Sequence, residues 1–569
     1  MRLKQASLNQ AATEAVRDPN QITDEEVEIQ LGQLEPETFP PRHNTHKYWG
    51  KKPSNIFNDC IKFFSQPNEV ILDPFNGSGI TVVESVIAGR RAIGYDLNPI
   101  AIEITSTLVN HCNVDNFSHK AHTILKSLEP VALELYGTKC RSCGKLVIPT
   151  SFGWEKSELV SVRYKCNACK SSGDVPPDDD DIQKTLLAPG QENCPDRDML
   201  YGWEMQKLKR AKVEKFSDLF TRRNLRLSGL LNAAIHAIED ESLKKLLRVT
   251  FTANLANCTR MIADFKGKAG GPSWKINCYW LPEKWQELNV LHYFNNRVKR
   301  TSAAIIDLRH HLPPNAGSLA DIRLQDSRFF PGTLLPGSVD YILTDPPYGG
   351  EGIQYGELSM LWNLWLGYEQ DLNSEIAMNP YRKKSLADYA EGLQAVFRNC
   401  YTVLRPGRWM SVTFNNKDTQ VWESLLSACR DAGFILRVVT PLRRSAPALT
   451  EHTTKTAPKM DVLLHFQKPL YGATVEAAPD GESFSFEDRT RRIARSLIEK
   501  GCDTTTSLVL NTLTIEWLSH HYRYQETSEE GYSCLTLPYV QKILSSDASL
   551  EEVNTNTSKR YDDSAWKLR

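Results

Sequence analysis

The sequence predicts an α/β protein with a doubly wound sheet, interrupted by a cysteine-rich and helical insert and followed by a mixed or helical C-terminal region. Three observations predict it. The apolar run Glu69-Val70-Ile71-Leu72 passes through a glycine-containing loop, residues 73–79, into a helical stretch and then into a second short strand ending at Asp96. Strand, glycine loop, helix, strand and acid in that order make one unit of a doubly wound sheet. The strand-and-loop pattern resumes only near residue 320, with Ile322-Arg323-Leu324 and Tyr341-Ile342-Leu343-Thr344. Between the two lies hydrophilic sequence, residues 137–172, holding two CxxC pairs.

The elements follow in order. Ile56, Phe57, Cys60, Ile61 and Phe64 recur at helical spacing ahead of the first strand. The next helix carries Val82, Val83, Val86 and Ile87, and Gly89 is a natural residue just past its end. Ala92–Tyr95 is the second strand. Pro176-Pro177 and the acids Asp178 to Asp181 read as a solvated linker. Leu225, Leu230, Leu231, Ala234, Ile235 and Ile238 then line one helical face. After residue 320 a helix is marked by Tyr389, Leu393, Val396, Phe397, Cys400, Val403 and Leu404. Arg405-Pro406-Gly407 turns into the strand Trp409–Phe414. Val421, Leu425, Cys429 and Ala432 form a further helix stopped by Gly433, and Ile435–Val439 and Met460–Phe466 are the last strands.

Composition excludes several classes. The chain has 569 residues, 41% hydrophobic and 24% charged, with a formal net charge of -1, so any nucleic-acid surface must be a local patch. No apolar run approaches the roughly 20 residues of a membrane span, and residues 1–16 lack the apolar core of a secretion signal. Thirteen cysteines, scattered apart from the two CxxC pairs, read as reduced thiols in a cytoplasmic protein.

Two loops carry the chemistry. Asp73-Pro74-Phe75-Asn76-Gly77-Ser78-Gly79 is not the GxGxxG of a dinucleotide fold, yet its glycines let the backbone approach a ligand. Asp96 stands where a ribose-binding carboxylate belongs, and Asp326 ends a strand where it would accept from an adenine amino group; an ordinary surface acid is the other reading of Asp326. The second loop is Thr344-Asp345-Pro346-Pro347-Tyr348. Consecutive prolines fix an extended backbone. The Asp345 carboxylate and the Pro346 carbonyl then face an exocyclic amine as paired acceptors, stabilising the positive charge that develops when the amine is alkylated. Tyr348 supplies a stacking ring.

These motifs resemble those of the amino-methylating DNA methyltransferases, whose catalytic motif is (D/N/S)-P-P-(Y/F/W). Aspartate in first position is commoner in the adenine-N6 enzymes. His46-Lys47-Tyr48-Trp49-Gly50-Lys51-Lys52-Pro53 resembles the segment that helps hold the methionine end of the cofactor, and Gln354–Leu366 resembles the segment after the catalytic loop in adenine-specific methylases containing a zinc ribbon. The resemblance covers roughly residues 40–470. It implies a Rossmann-like methyltransferase sheet, S-adenosylmethionine as cofactor and double-stranded DNA as partner, with restriction or defence-complex subunits as further partners. It places Lys51 and Pro53 in the cofactor site beside Asp73, Pro74, Phe75, Gly77, Gly79, Asp96 and Asp326. It makes Asp345, Pro346, Pro347 and Tyr348 the catalytic set. Cytosine-N4 methylation, guanine-N2 methylation of RNA (suggested by Tyr348-Gly349) and a DNA-binding recognition subunit with little turnover are the alternatives.

Cys140-x2-Cys143 and Cys166-x2-Cys169 supply four thiolates at the spacing of a closed structural zinc site. The ribbon either contacts DNA or staples the insert. Basic clusters at Arg222-Arg223, Lys266 and Lys268, Arg382–Lys384 and Arg443-Arg444 are solvated faces or DNA contacts. The loops 443–459 and 266–280 are the favoured DNA contacts, and Arg489–Arg492 is a helix face, a DNA contact or a partner contact. The domains expected are an N-terminal extension (1–40), a first catalytic half (41–130), a zinc ribbon (131–180), a helical insert and candidate target-recognition region (181–315), a second catalytic half (316–470) and a C-terminal accessory region (471–569).

Overall fold

A computed structural model describes residues 18–186, 194–195, 197–200, 202–264, 274, 277–349, 353–416, 418–443, 461–470, 485–502, 504–524, 535–553 and 564–568. The favoured DNA-contact loops fall largely outside them, as do Lys266, Lys268 and Arg444.

Seven strands form the central sheet: β1 (Val70–Asp73), β2 (Arg91–Asp96), β3 (Ala320–Leu324), β4 (Val339–Thr344), β5 (Leu404–Phe414), β6 (Ile435–Leu442) and β7 (Asp461–Gln467). Their order is β6-β7-β5-β4-β1-β2-β3. β7 runs antiparallel to both neighbours, and every other pair is parallel. The chain builds outward from β1 to β3, then returns to lay β4 on the other side of β1. That reversal opens a crevice at the carboxyl ends of β1 and β4, where open α/β sheets bind ligands. The central strands are apolar because both faces are covered: every residue of β4 is buried.

Alternation with period two sends Ile71, Tyr341, Leu343, Trp409 and Leu463 to one face. There they meet the helix Ser54–Phe64 and residues Ile22, Val27 and Leu31. The N-terminal stretch is thus part of the core; a capping box at Thr23 starts its helix, and Trp409 Nε1 donates to the Pro19 carbonyl at 3.2 Å. Leu72, Ile342, Met410, Val412, Leu464 and Phe466 face the other way, against the helices Leu386–Val403 and Thr419–Ala432. The expected stops hold: Gly89 and Gly433 both take positive φ, at 77° and 101°, where a side chain would be strained.

The insert between β2 and β3 is knit across its length. Strands Ser172–Val175, Glu158–Lys165, Ser151–Glu155 and Lys284–Leu288 form one antiparallel sheet in that order. The last strand comes from beyond the helices Arg222–His236 and Glu241–Leu255. A buried pair ties these parts together: Arg223 makes two 2.7 Å bonds to Glu287, and its guanidinium lies 3.9 Å from the centre of the Phe152 ring. The acidic run is not a solvated linker. Asp178 caps the helix Asp179–Thr185, Asp181 is 1% exposed, and Arg141, inside the first CxxC pair, bonds to both at 2.7 and 2.8 Å.

The C-terminal region is mixed. Helices Phe486–Glu499, Thr506–Tyr524 and Leu537–Ser546 precede a hairpin, Leu550–Val553 with Ala565–Leu568. Tyr522 fastens it to the sheet by donating to the Phe434 carbonyl at 2.7 Å. The basic stretch Arg489–Arg492 pairs internally, Arg489 and Arg492 with Glu516 and Arg491 with Glu487. Among the described residues, no helix is long and apolar enough to cross a membrane.

Candidate active site

The crevice between β1 and β4 is a pocket with roughly 1000 Å³ of space, counting its open mouth. Asp73, at the end of β1, accepts from the Thr344 hydroxyl at 2.7 Å and from the Phe75 N–H at 3.0 Å. The Thr344 bond couples the two predicted loops directly. Burial pushes the Asp73 carboxyl up to about 7, against the hydrogen bonds that oppose it. Asp96, ending β2, accepts from the backbone N–H groups of Gly77 at 2.7 Å and Asn98 at 2.8 Å. Burial raises it to about 6. Pro74, Phe75, Gly77 and Asp326 line the same pocket. Asp326 is held by Arg328, with Nη2 at 2.5 Å, an anchor its sequence position did not suggest.

Gly79 and Pro53 do not line the pocket. Each precedes a helix, Ile80–Ile87 and Ser54–Phe64 respectively, and sets its start. Gly79 has φ of 80°, and a Cβ there would stand 2.3 Å from the Thr105 hydroxyl. A Gly79→Ala variant should therefore lose about 2–3 kcal/mol of stability from strain and overlap together. Urea unfolding checks this; an unchanged midpoint would mean the loop relaxes freely.

Lys51 lines the pocket, but its ammonium donates to the carbonyls of His43 at 2.8 Å and His46 at 2.7 Å. Burial lowers it to about 8. Lys52, next to it, reaches the catalytic loop: Nζ lies 3.5 Å from Asp345 Oδ1 and 2.9 Å from Asp461 Oδ2. Asp345 also accepts from the Thr413 hydroxyl at 2.7 Å and the Tyr348 hydroxyl at 2.9 Å. The Tyr348 ring packs edge-on against Phe414, its centre 5.2 Å away. The loop is fixed from outside by Tyr389, which donates to the Pro347 carbonyl at 2.8 Å, and by Asn416, which donates to the Tyr348 carbonyl at 2.6 Å. Asp345 and Pro347 line the pocket; Pro346 and Tyr348 are not part of its lining.

Sequence reasoning held Tyr48 and Tyr355 within its two resembling segments but assigned neither to the site; their rings stack with centres 6.0 Å apart. Tyr48 lies against Gly77, 3.4 Å from where a Cβ would stand. That reasoning missed Glu375 on the pocket wall and Asp461 behind it. In all, Asp73, Asp96, Asp326, Asp345, Asp371 and Glu375 face Lys51 and Lys52 across the pocket. Arg328 neutralises Asp326 and burial raises Asp73 to about 7, yet the remaining carboxylates outnumber Lys51 and Lys52, which would suit a ligand with excess positive charge. S-adenosylmethionine, with a sulfonium and an ammonium against one carboxylate, meets that requirement.

The four predicted cysteines converge. Their sulfurs all lie within 4.8 Å of one another. Cys140 and Cys169 are 3.6 Å apart, and Cys143 and Cys166 are 3.7 Å apart. Four sulfurs held about 2.3 Å from one tetrahedral zinc would be separated by about 3.8 Å, so the set fits that ion. Several expected basic contacts are used internally. Arg223 pairs with Glu287, Arg382 with the fully buried Glu357, and Arg443 with Glu35.

Comparison with known proteins agrees with the first loop. The N6/N4 DNA methylase family model matches residues 10–107, a span that includes Lys51, the glycine loop and Asp96 but not Asp345. The Escherichia coli (strain K12) protein YubD, named as a methylase, is 45% identical over 47 residues, 8% of this chain. The chain covers 21% of that protein's length. A solved structure from Thermus thermophilus, titled as a DNA modification methylase, aligns at 16% identity over 30% of this chain and 71% of its own. Its TM-score is 0.16, too low to establish a shared fold.

Proposed function

We propose that this chain is an S-adenosylmethionine-dependent DNA methyltransferase of a bacterial or archaeal modification or defence system, acting on adenine N6. The observation that carries the proposal is the pocket shared by Asp73 of the glycine loop and Asp345 of the Asp-Pro-Pro-Tyr loop, coupled through Thr344. The family match to residues 10–107 supports methylation of DNA at an N6 or N4 amine. Adenine is favoured by aspartate at position 345.

The cofactor supplies the methyl group when bound. Asp96 would hold ribose hydroxyls, and Asp326 would accept from the adenine amino group of the cofactor. Asp345 would accept a hydrogen from the target amine and stabilise its developing positive charge. Tyr348 and Thr413 both donate to Oδ1, so Asp345 Oδ2 would be the oxygen that accepts from the target amine, and a base within a duplex must first be flipped out. Pro346 and Pro347 would hold the loop extended, and the Pro346 carbonyl would be the second acceptor for the amine.

The four cysteines would hold a structural zinc that braces the insert. The test of function is incubation of the full chain with labelled S-adenosylmethionine and unmethylated duplex DNA, followed by mass spectrometry of the nucleosides. N6-methyladenine is expected. N4-methylcytosine would keep the class and overturn the base, and label appearing only in guanine of RNA in a parallel incubation with RNA in place of DNA would overturn both.

A further inference from the structure

Lys52 is 5% exposed, and Asp461 is 2% exposed. The Lys52 ammonium lies between Asp461 Oδ2 and Asp345 Oδ1, contacts the Tyr348 hydroxyl, and stands 4.8 Å from the centre of the Tyr348 ring. Asp461 is the first residue of β7, and its second oxygen accepts from Asn415, just past β5, at 3.0 Å. One buried ammonium thus joins the segment before the helix Ser54–Phe64, the catalytic loop and the antiparallel strand.

A lone ammonium beside a reacting amine would oppose catalysis, because the amine becomes cationic during transfer. Two carboxylates around one ammonium leave the cluster net negative, which suits that charge. A buried Asp345 without the ammonium would instead tend to take up a proton and stop being a pure acceptor. We infer that Lys52 is a positioning residue for the amine reaction, holding Asp345 ionised and aimed through an Asp345–Lys52–Asp461 triad. This role rests on the methyltransferase reading. It assigns Lys52 by its contacts; the sequence singled out its neighbour Lys51, for the cofactor site.

The groups facing Asp345 are Lys52 from the N-terminal segment, Tyr348 on its own loop, Asp73 from β1, Tyr355 from the helix Tyr355–Leu366 and Asp461 from β7. Burial raises Asp345, and Lys52 is the largest influence opposing that rise. Removing the ammonium should therefore raise Asp345 further, while removing the Asp461 charge should lower it.

The experiment is single-turnover methyl transfer to unmethylated duplex DNA across pH, with S-adenosylmethionine saturating and full-length protein throughout. Lys52→Met should lower the rate roughly 100-fold at neutral pH and move the acidic limb up by about one pH unit or more. Asp461→Asn should move that limb down. Lys52→Arg should keep it in place. Opposite shifts are a signature that general damage to the fold does not produce. An unmoved limb in Lys52→Met, or equal shifts in both charge-removing variants, overturns the role. If Lys52→Met does not fold, Asp461→Asn decides: no downward shift overturns the triad. A wild-type chain that transfers no methyl group rejects the functional reading, and the Lys52 role falls with it; a transferring wild type with an unmoved Lys52→Met limb rejects the role alone.

Discussion

An Asp345→Ala chain is expected to keep its fold and lose methyl transfer by roughly 100- to 1000-fold, the range seen when one preorganised partner of a developing charge is removed. The fold should survive because most of the groups around Asp345 retain partners, although the buried Thr413 hydroxyl loses its acceptor. Lys52 keeps Asp461 at 2.9 Å, and Asn415 still donates to the other oxygen of that carboxylate. The Pro347 and Tyr348 carbonyls remain tied to Tyr389 and Asn416. What disappears is the one carboxylate of the catalytic loop. Single-turnover transfer of labelled methyl to duplex DNA, beside circular dichroism of the same preparation, measures both halves of the expectation. Equal transfer by the variant would remove Asp345 from the chemistry.

The second large effect is expected at the cysteines. Cys166→Ser should abolish zinc binding and destabilise the insert by several kcal/mol, because binding energy at a structural site is folding energy. Cys166 is buried and 3.7 Å from Cys143, so serine leaves a three-sulfur site with a hard fourth ligand. The damage should spread. Arg141, between the first two cysteines, is the partner of buried Asp181, so a loosened knuckle frees that carboxylate from its charge. Metal analysis and thermal melting are the measurements. Full zinc content in the purified variant would sink the assignment.

The doubly wound sheet was legible because both strand ends and loops are local signals. Val70–Asp73, Gly77, Gly89 and Gly433 announce themselves within a few residues. The four cysteines were legible for the same reason. What depended on distant partners was not. Asp181 reads as one acid in a hydrophilic run until Arg141, 40 residues away, is placed beside it. Arg489 and Arg492 read as free positive charge until Glu516 arrives from the next helix. Lys51 and Lys52 are identical in type and adjacent. Only their placement in the fold shows that Lys51 turns to backbone carbonyls and Lys52 to Asp345. Asp461 carries no motif at all, and its role follows from the antiparallel strand it begins.

Residues 97–319 separate β2 from β3, yet those strands are hydrogen-bonded neighbours. The ends of the insert are also stitched to each other, with a His111 ring nitrogen 2.9 Å from the Pro313 carbonyl. Pairing β2 with β3 across an unstructured chain would carry a loop-closure cost that grows with the logarithm of its length, and high contact order slows folding. An insert that folds first brings its own termini together and turns a remote pairing into a nearby one. If the four cysteines take up zinc as proposed, that uptake would bear on how fast the sheet is completed, as well as on how stable it is once formed.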